Sequence, residues 1–220
     1  MVATPECGRG GIAVSKEAVL GRIRAALGEH EASPIPILQT YRRAGVLGTE
    51  ERLKLLEDRL HEYDARVFHC PELDLSRQIA EVLLGNGKSR MVHPAGVPAR
   101  WLDARIAWTA DSGELSYSDI EAFDGVLTAA TLAVAESGSI VLQHGPVEGR
   151  RALTLLPDYH LCVLFQEQIV ETLPECFDRL RESATRPTTF ISGPSATADI
   201  EMTRIKGVHG PRYLDVILVS

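Results

Sequence analysis

Apolar residues change their spacing repeatedly along the chain, and each change marks an element. Val19, Leu20, Ile23 and Leu27 fall on one face of a helix spanning residues 16–27, with Ser15 placed as its N-cap and Gly28 as its stop. Leu53, Leu55, Leu56 and Leu60 predict a second helix from Thr49 to Tyr63, although Arg52 stands where a capping box that starts at Thr49 would need Glu. Beyond it, short apolar runs alternate with helical segments. Strands are expected at 65–70, 90–93, 106–109, 160–165, 188–192 and 213–219, and helices at 73–84, 98–103, 151–155 and 174–181. Residues 125–135 (GVLTAATLAVA) read as a single strand, joined through Glu136-Ser137-Gly138 to another at 139–142. Helices set between short apolar strands indicate βαβ units. The predicted fold class is therefore α/β, an open, mostly parallel sheet flanked by helices.

The first part of the chain lacks this rhythm. Residues 1–14 are rich in Gly and are expected to fray, and residues 29–48 hold Pro34 and Pro36 with no clear period. The latter read as an extended arm, latched by Tyr41, Val46 and Leu47. It reads equally as a loop around its own domain and as a contact with a partner or a second copy, so it fits a homodimer. Two parts are expected: residues 1–48, a helix and arm, and residues 49–220, an α/β domain.

Composition narrows the function classes. The chain has 220 residues, enough for a full core without staples, and a net charge of −7. Its basic pairs, Arg42-Arg43 and Arg150-Arg151, are too short to track a phosphate backbone, so no nucleic-acid partner is expected. With no apolar run of membrane-spanning length and no signal-peptide core, a cytoplasmic protein without a membrane partner is expected. Cys7, Cys70, Cys162 and Cys176 are far apart and form no Cys-x-x-Cys, which predicts neither a metal site nor an iron–sulfur cluster in this chain.

Candidate chemistry gathers in two places. The run from Thr189 to Pro211 places Ser192, Gly193 and Ser195 after a strand, where backbone amides can cradle an anion. Asp199 and Glu201 follow; two apart, they would share a face on an extended backbone and could divide acid and base roles. His209 and Gly210 close the run, the His able to exchange protons near neutral pH. Against these readings stand an ordinary cap and turn, a solvated acid pair and a structural His. Glu136 before the turn at Gly138 reads either as an acid over a sheet edge or as an exposed turn residue. Arg150 and Arg151 read as anion contacts or as surface arginines, and His144 and His160 have no metal-ligand spacing.

Three blocks in order, AESGSIVL (135–142), RRALTLLPDYH (150–160) and ISGPS (191–195) continued through GVHGP (207–211), resemble the LUD-domain family, in its LutC/YkgG (lactate utilization protein C) branch. The resemblance covers residues 50–220. It implies a NagB/RpiA/CoA-transferase-like fold and a place in L-lactate utilization, the oxidation of lactate to pyruvate. There this chain would be the cluster-free accessory subunit, with a site for a small carboxylate or other anion. It further implies partners that carry the iron–sulfur clusters, LutA-like and LutB-like, and no cofactor in this chain. By similarity to the Glu-x-Gly of class I CoA-transferases, Glu136 would contact the carboxylate or act as a base, although the glycine-rich oxyanion loops of those enzymes are not evident here. The expected site has Glu136 and His209 as catalytic candidates, with Gly138, Ser192, Gly193, Ser195, Asp199, Glu201 and Gly210 binding the ligand. A stand-alone enzyme, or a sensor, for a small carboxylate or phosphorylated metabolite is the alternative.

Overall fold

The computed structural model describes residues 15–28, 40–197, 205–206 and 210–220. The chain divides into two compact units, Met1–Tyr41 and Arg42–Ser220. In the first, α1 (Lys16–Leu27) starts where the Ser15 hydroxyl accepts the Ala18 amide at 3.2 Å, and ends where Gly28 takes a positive φ. Its stripe of Val19, Leu20, Ile23 and Leu27 is exposed.

The second unit begins with α2 (Thr49–Glu62), β1 (Arg66–Cys70), α3 (Leu75–Gly85), β2 (Arg90–Pro94), β3 (Ala107–Asp111) and α4 (Tyr117–Glu121). It continues through β4 (Gly125–Ala129), β5 (Leu132–Val134), β6 (Ser139–Leu142), β7 (Tyr159–Phe165), β8 (Ile169–Val170) and α5 (Leu173–Leu180). The last strands are β9 (Thr189–Ile191), β10 (Ala196–Thr197), β11 (Ile205–Lys206) and β12 (Tyr213–Val219). Half of the capping box that Thr49 lacked is set one residue earlier: Gly48 is the N-cap, and its N–H donates to the Glu51 carboxylate at 3.0 Å, with no side chain to return the bond.

Six strands form one parallel sheet in the order β1-β12-β7-β4-β2-β3, as the pattern predicted. Its central strands are apolar throughout because both faces are covered. Side chains alternate between the faces: Leu161, Val163 and Ile217 join Ile79, Leu83 and Trp101 on the α3 side. Cys162, Leu164, Val216 and Leu218 join Leu56 and Leu60 of α2 on the other. Each fully buried Leu or Ile contributes about 1.5–3 kcal/mol.

The predicted strand at 125–135 is two strands in two sheets. Beyond Ala129 the chain leaves the parallel sheet, and the Thr131 amide donates instead to the Val141 carbonyl at 2.9 Å. The Ala130 carbonyl is taken by Gln168 at 2.6 Å. A second, four-stranded sheet, β8-β5-β6-β9, results, and Ile140 and Leu142 of its central strand extend the core on the α2 side. The turn Glu136-Ser137-Gly138 therefore tips a hairpin of this second sheet and does not stand at the edge of the parallel one. Among the described residues, no helix is long and apolar enough to cross a membrane.

The first residues of the second unit form a strap, but not mainly through the apolar side chains the sequence suggested: Val46 and Tyr41 are exposed, and Leu47 is half-buried. Glu171 is a buried carboxylate and needs donors. It takes them from the Val46 and Leu47 amides at 2.6 and 2.7 Å and from Arg42 at 2.7 Å. Burial pushes its pKa up, yet those amides and Arg42 hold it below the ordinary Glu value. Gly45 lies so close that an added Cβ would stand 2.3 Å from a Glu171 oxygen.

Candidate functional site

The Ser192-Gly193-Pro194-Ser195 loop leaves β9 and is fixed from below. Gly193 has φ +83, and a Cβ there would meet the Tyr63 Cβ at 2.4 Å, so the loop lies against the end of α2. The Ser139 and Ser192 hydroxyls bond at 2.7 Å, and Ser137 donates to Ser139 at 2.9 Å. These contacts tie the hairpin turn to the loop. The Ser195 amide donates to the Pro211 carbonyl at 2.8 Å, which brings the two ends of the C-terminal motif together.

Ser192, Gly193, Ser195 and Gly210 thereby line one cavity of about 230 Å³. Arg151, Thr154 and His160 complete its polar wall. The Arg151 guanidinium donates to the Thr154 carbonyl and hydroxyl at 3.0 and 2.9 Å, which sets its direction. His160 is 1% exposed and bonds Thr128 at 2.8 Å. Burial, reinforced by the Arg151 charge, pushes its pKa down to about 4, so it stays neutral at pH 7. Among the described residues that line it, the cavity offers hydroxyls, a neutral imidazole and one positive charge, with no carboxylate. That set has the chemistry to receive an anion and offers no base to move protons.

Asp199, Glu201 and His209 lie outside the described residues. Glu136 does not line the cavity; its side chain is 44% exposed and ion-paired with Arg42, which also reaches Glu171. Gly138 has φ +61, and its hypothetical Cβ would meet Arg59 at 2.7 Å, so its place is in packing the hairpin on α2. Sequence reasoning named Arg151 and His160 without giving them a place in the site. Of the doublet, Arg150 makes a two-pronged bond to Asp111 at 2.8 and 3.0 Å, whereas Arg151 has no carboxylate partner among the described residues.

A larger crevice of about 840 Å³ opens at the carboxyl ends of β2 and β3. From β2 the chain continues to β3 at one edge of the sheet, and from β4 it turns back toward β7, so the strand order reverses between β2 and β4, and the crevice lies beside that point. Backbone approach shapes it. The Gly96 amide donates to the Pro146 carbonyl at 3.0 Å, and Gly149, at φ +69, would meet Pro94 and Leu153 through any side chain. Buried Glu148 organises the loop, accepting the Gln143 and Gly145 amides at 2.7 and 3.0 Å and the Thr131 hydroxyl. His144 donates from Nδ1 to the Gly149 carbonyl at 3.0 Å, leaving Nε2 to accept from Thr189 at 2.9 Å. Among the described residues, no group of three His, Cys, Asp or Glu comes together that could hold a metal.

Residues 12–219 match the family model described as "LUD domain". The chain is 43% identical over 176 residues to the lactate utilization protein C of Deinococcus radiodurans, covering 79% of this chain and 82% of that one. It is 34% identical over 119 residues to the lactate utilization protein C of Bacillus subtilis, covering 51% of this chain and 49% of that protein. To the Escherichia coli protein YkgG it is 34% identical over 112 residues, 48% of each chain. Thus the match spans about half the length of these last two relatives. A crystal structure of a DUF162 family protein from Deinococcus radiodurans is similar with a TM-score of 0.70 and 39% identity, covering 80% of this chain and 100% of that one.

Proposed function

Since the chain belongs to the LUD domain family, we propose that it acts in L-lactate utilization as the cluster-free subunit of a lactate-oxidising assembly, holding a small carboxylate in the Ser192–Ser195 cavity. Relatives bearing the name lactate utilization protein C support the role in lactate use. The observation that carries the site is that Ser192, Ser195, Gly210 and Arg151 line one cavity. A cavity of about 230 Å³ is below the usual size for drug-like ligands and suits a molecule of a few heavy atoms, such as lactate or pyruvate. Arg151 would take the carboxylate in a charge-assisted bond, with the serine hydroxyls fixing its orientation. The neutral His160 fits the role of a wall rather than a base. The iron–sulfur chemistry would belong to the LutA-like and LutB-like partners.

The test is to purify the tagged chain from lactate-grown cells of its host and follow lactate-dependent dye reduction. Recovery of iron–sulfur proteins, with activity that needs this chain, is the expected result. Arg151→Gln should weaken pyruvate binding by about tenfold, as loss of one charge-assisted hydrogen bond requires. A chain recovered alone, without effect on lactate oxidation, would favour a stand-alone enzyme or a sensor.

A further inference from the structure

The crevice at the carboxyl ends of β2 and β3 carries features that the small cavity does not explain. We propose that it is a second, separate ligand site, for a phosphorylated metabolite of nucleotide size. Its charge is one-sided. The chain as a whole carries −7, yet the unneutralised charges along the crevice are positive. Asp111 is consumed by Arg150, and the buried Glu148, which accepts three hydrogen bonds inside the loop, is not among the lining residues. Among the described residues, Arg186 is exposed and has no acidic partner, and Arg151 bonds only the uncharged oxygens of Thr154. Arg186, together with the Arg151 charge that the crevice shares with the small cavity, calls for more negative charge than one carboxylate brings, and a phosphate group supplies it.

Size points the same way. A three-carbon hydroxy acid would fill roughly a tenth of this volume, which lies near the top of the range for small-molecule pockets. The walls include Pro94, Pro146 and Pro187, apolar faces on which a flat organic group can lie, and the Ser112 hydroxyl makes no hydrogen bond to any described residue. The frame is built rather than incidental. His144 has a left-handed backbone, φ +54, and bonds at both ring nitrogens, and Gly96 and Gly149 let the segments after β2 and after β6 meet closely. Arg151 also lines the small cavity, so a ligand in one hollow alters the charge available in the other.

Calorimetric titration of the full chain with inorganic phosphate and with ADP tests the proposal, alongside Arg186→Ala, whose unfolding midpoint serves as the folding control. Arg186 lines the crevice and not the small cavity. The expected result is that ADP binds, phosphate competes with it, and Arg186→Ala weakens ADP by about tenfold or more. Binding of phosphate without ADP overturns the nucleotide-sized ligand. ADP binding that Arg186→Ala leaves unchanged, or no binding of either compound, overturns the site. Pyruvate is titrated separately with neither phosphate nor ADP present, and Arg186→Ala, which does not line the Ser192–Ser195 cavity, should leave its binding unchanged, so failure of one site is distinguishable from failure of the other.

Discussion

A buried ionisable side chain records what its surroundings will tolerate, and His160 is the clearest instance here. Burial holds its folded pKa at about 4, against 6.5 for the free group. The unfolded chain therefore binds the proton more readily, and His160 stabilises the fold above pH 6.5 and progressively less as pH falls toward 4. Within that window each unit of acidification costs up to about 1.4 kcal/mol from this group. His160→Gln should be less stable at pH 7, because the bond to Thr128 is disturbed, yet should lose less on acidification. Urea unfolding of both proteins at pH 7, 6, 5 and 4.5 reads the difference directly. Asp111 and Glu171 also destabilise the fold as they protonate, since their folded pKa values are lowered, but they do so alike in both proteins and cancel. Parallel pH profiles would show that His160 is not held neutral by burial. The same residue shows why a His cannot be assigned a role from sequence: its neighbours Thr128 and Arg151 are distant in the chain or on another element, and they decide its charge.

The elements that could be read from the sequence are those whose burial is periodic or continuous. Leu56 and Leu60 of α2 repeat at helical spacing, and the runs of β7 and β12 are apolar because both faces are covered. Strands of two or three residues, such as β5 and β8, are too short to show a period, and the pairing of β9, itself expected, is fixed by contacts far along the chain. That is why one apolar run concealed two strands and the second sheet was not foreseen. The site divides in the same way: Ser192, Gly193, Ser195 and Gly210 stood out as residue types suited to an anion, whereas the large crevice draws on four separate loops whose meeting no local pattern signals. The strap at residues 42–47 is a further case, because its grip lies in backbone amides rather than in Val46 or Tyr41. Glu171→Gln places an amide group, itself partly a donor, before the N–H groups of Val46 and Leu47. The loss should be about 1–3 kcal/mol, and hydrogen exchange at those two amides should quicken by roughly tenfold or more. Unchanged exchange would mean that Arg42 and the Gly45 contact hold the strap without the carboxylate.

At the scale of the whole molecule the question is where the folding unit starts. Spacing alone placed the α/β domain at residue 49, at the start of α2. The contacts of the second unit begin at Arg42, and the seven residues between are rich in them. Arg42 reaches Glu171, Arg43 pairs with Asp178 at 3.1 Å, the Gly45 amide donates to Glu175 at 3.1 Å, and Gly48 is the N-cap of α2. A chain beginning at Arg42 keeps all of these and should melt within about 2 °C of the full protein. A chain beginning at Thr49 loses them together. Glu171 then gains access to water, which offsets part of the cost, so the net loss should be about 1–3 kcal/mol, or roughly 2–12 °C for a unit of this size. Calorimetric scans of the three chains under one set of conditions discriminate the outcomes. Equal melting of the chains starting at 42 and 49 would make the strap a passive covering and restore the boundary suggested by spacing. A drop already at 42 would mean that residues 1–41 support the α/β unit. The expected order, with the loss falling between 42 and 49, would make the strap an integral part of the domain, anchored on the segment that joins β8 to α5.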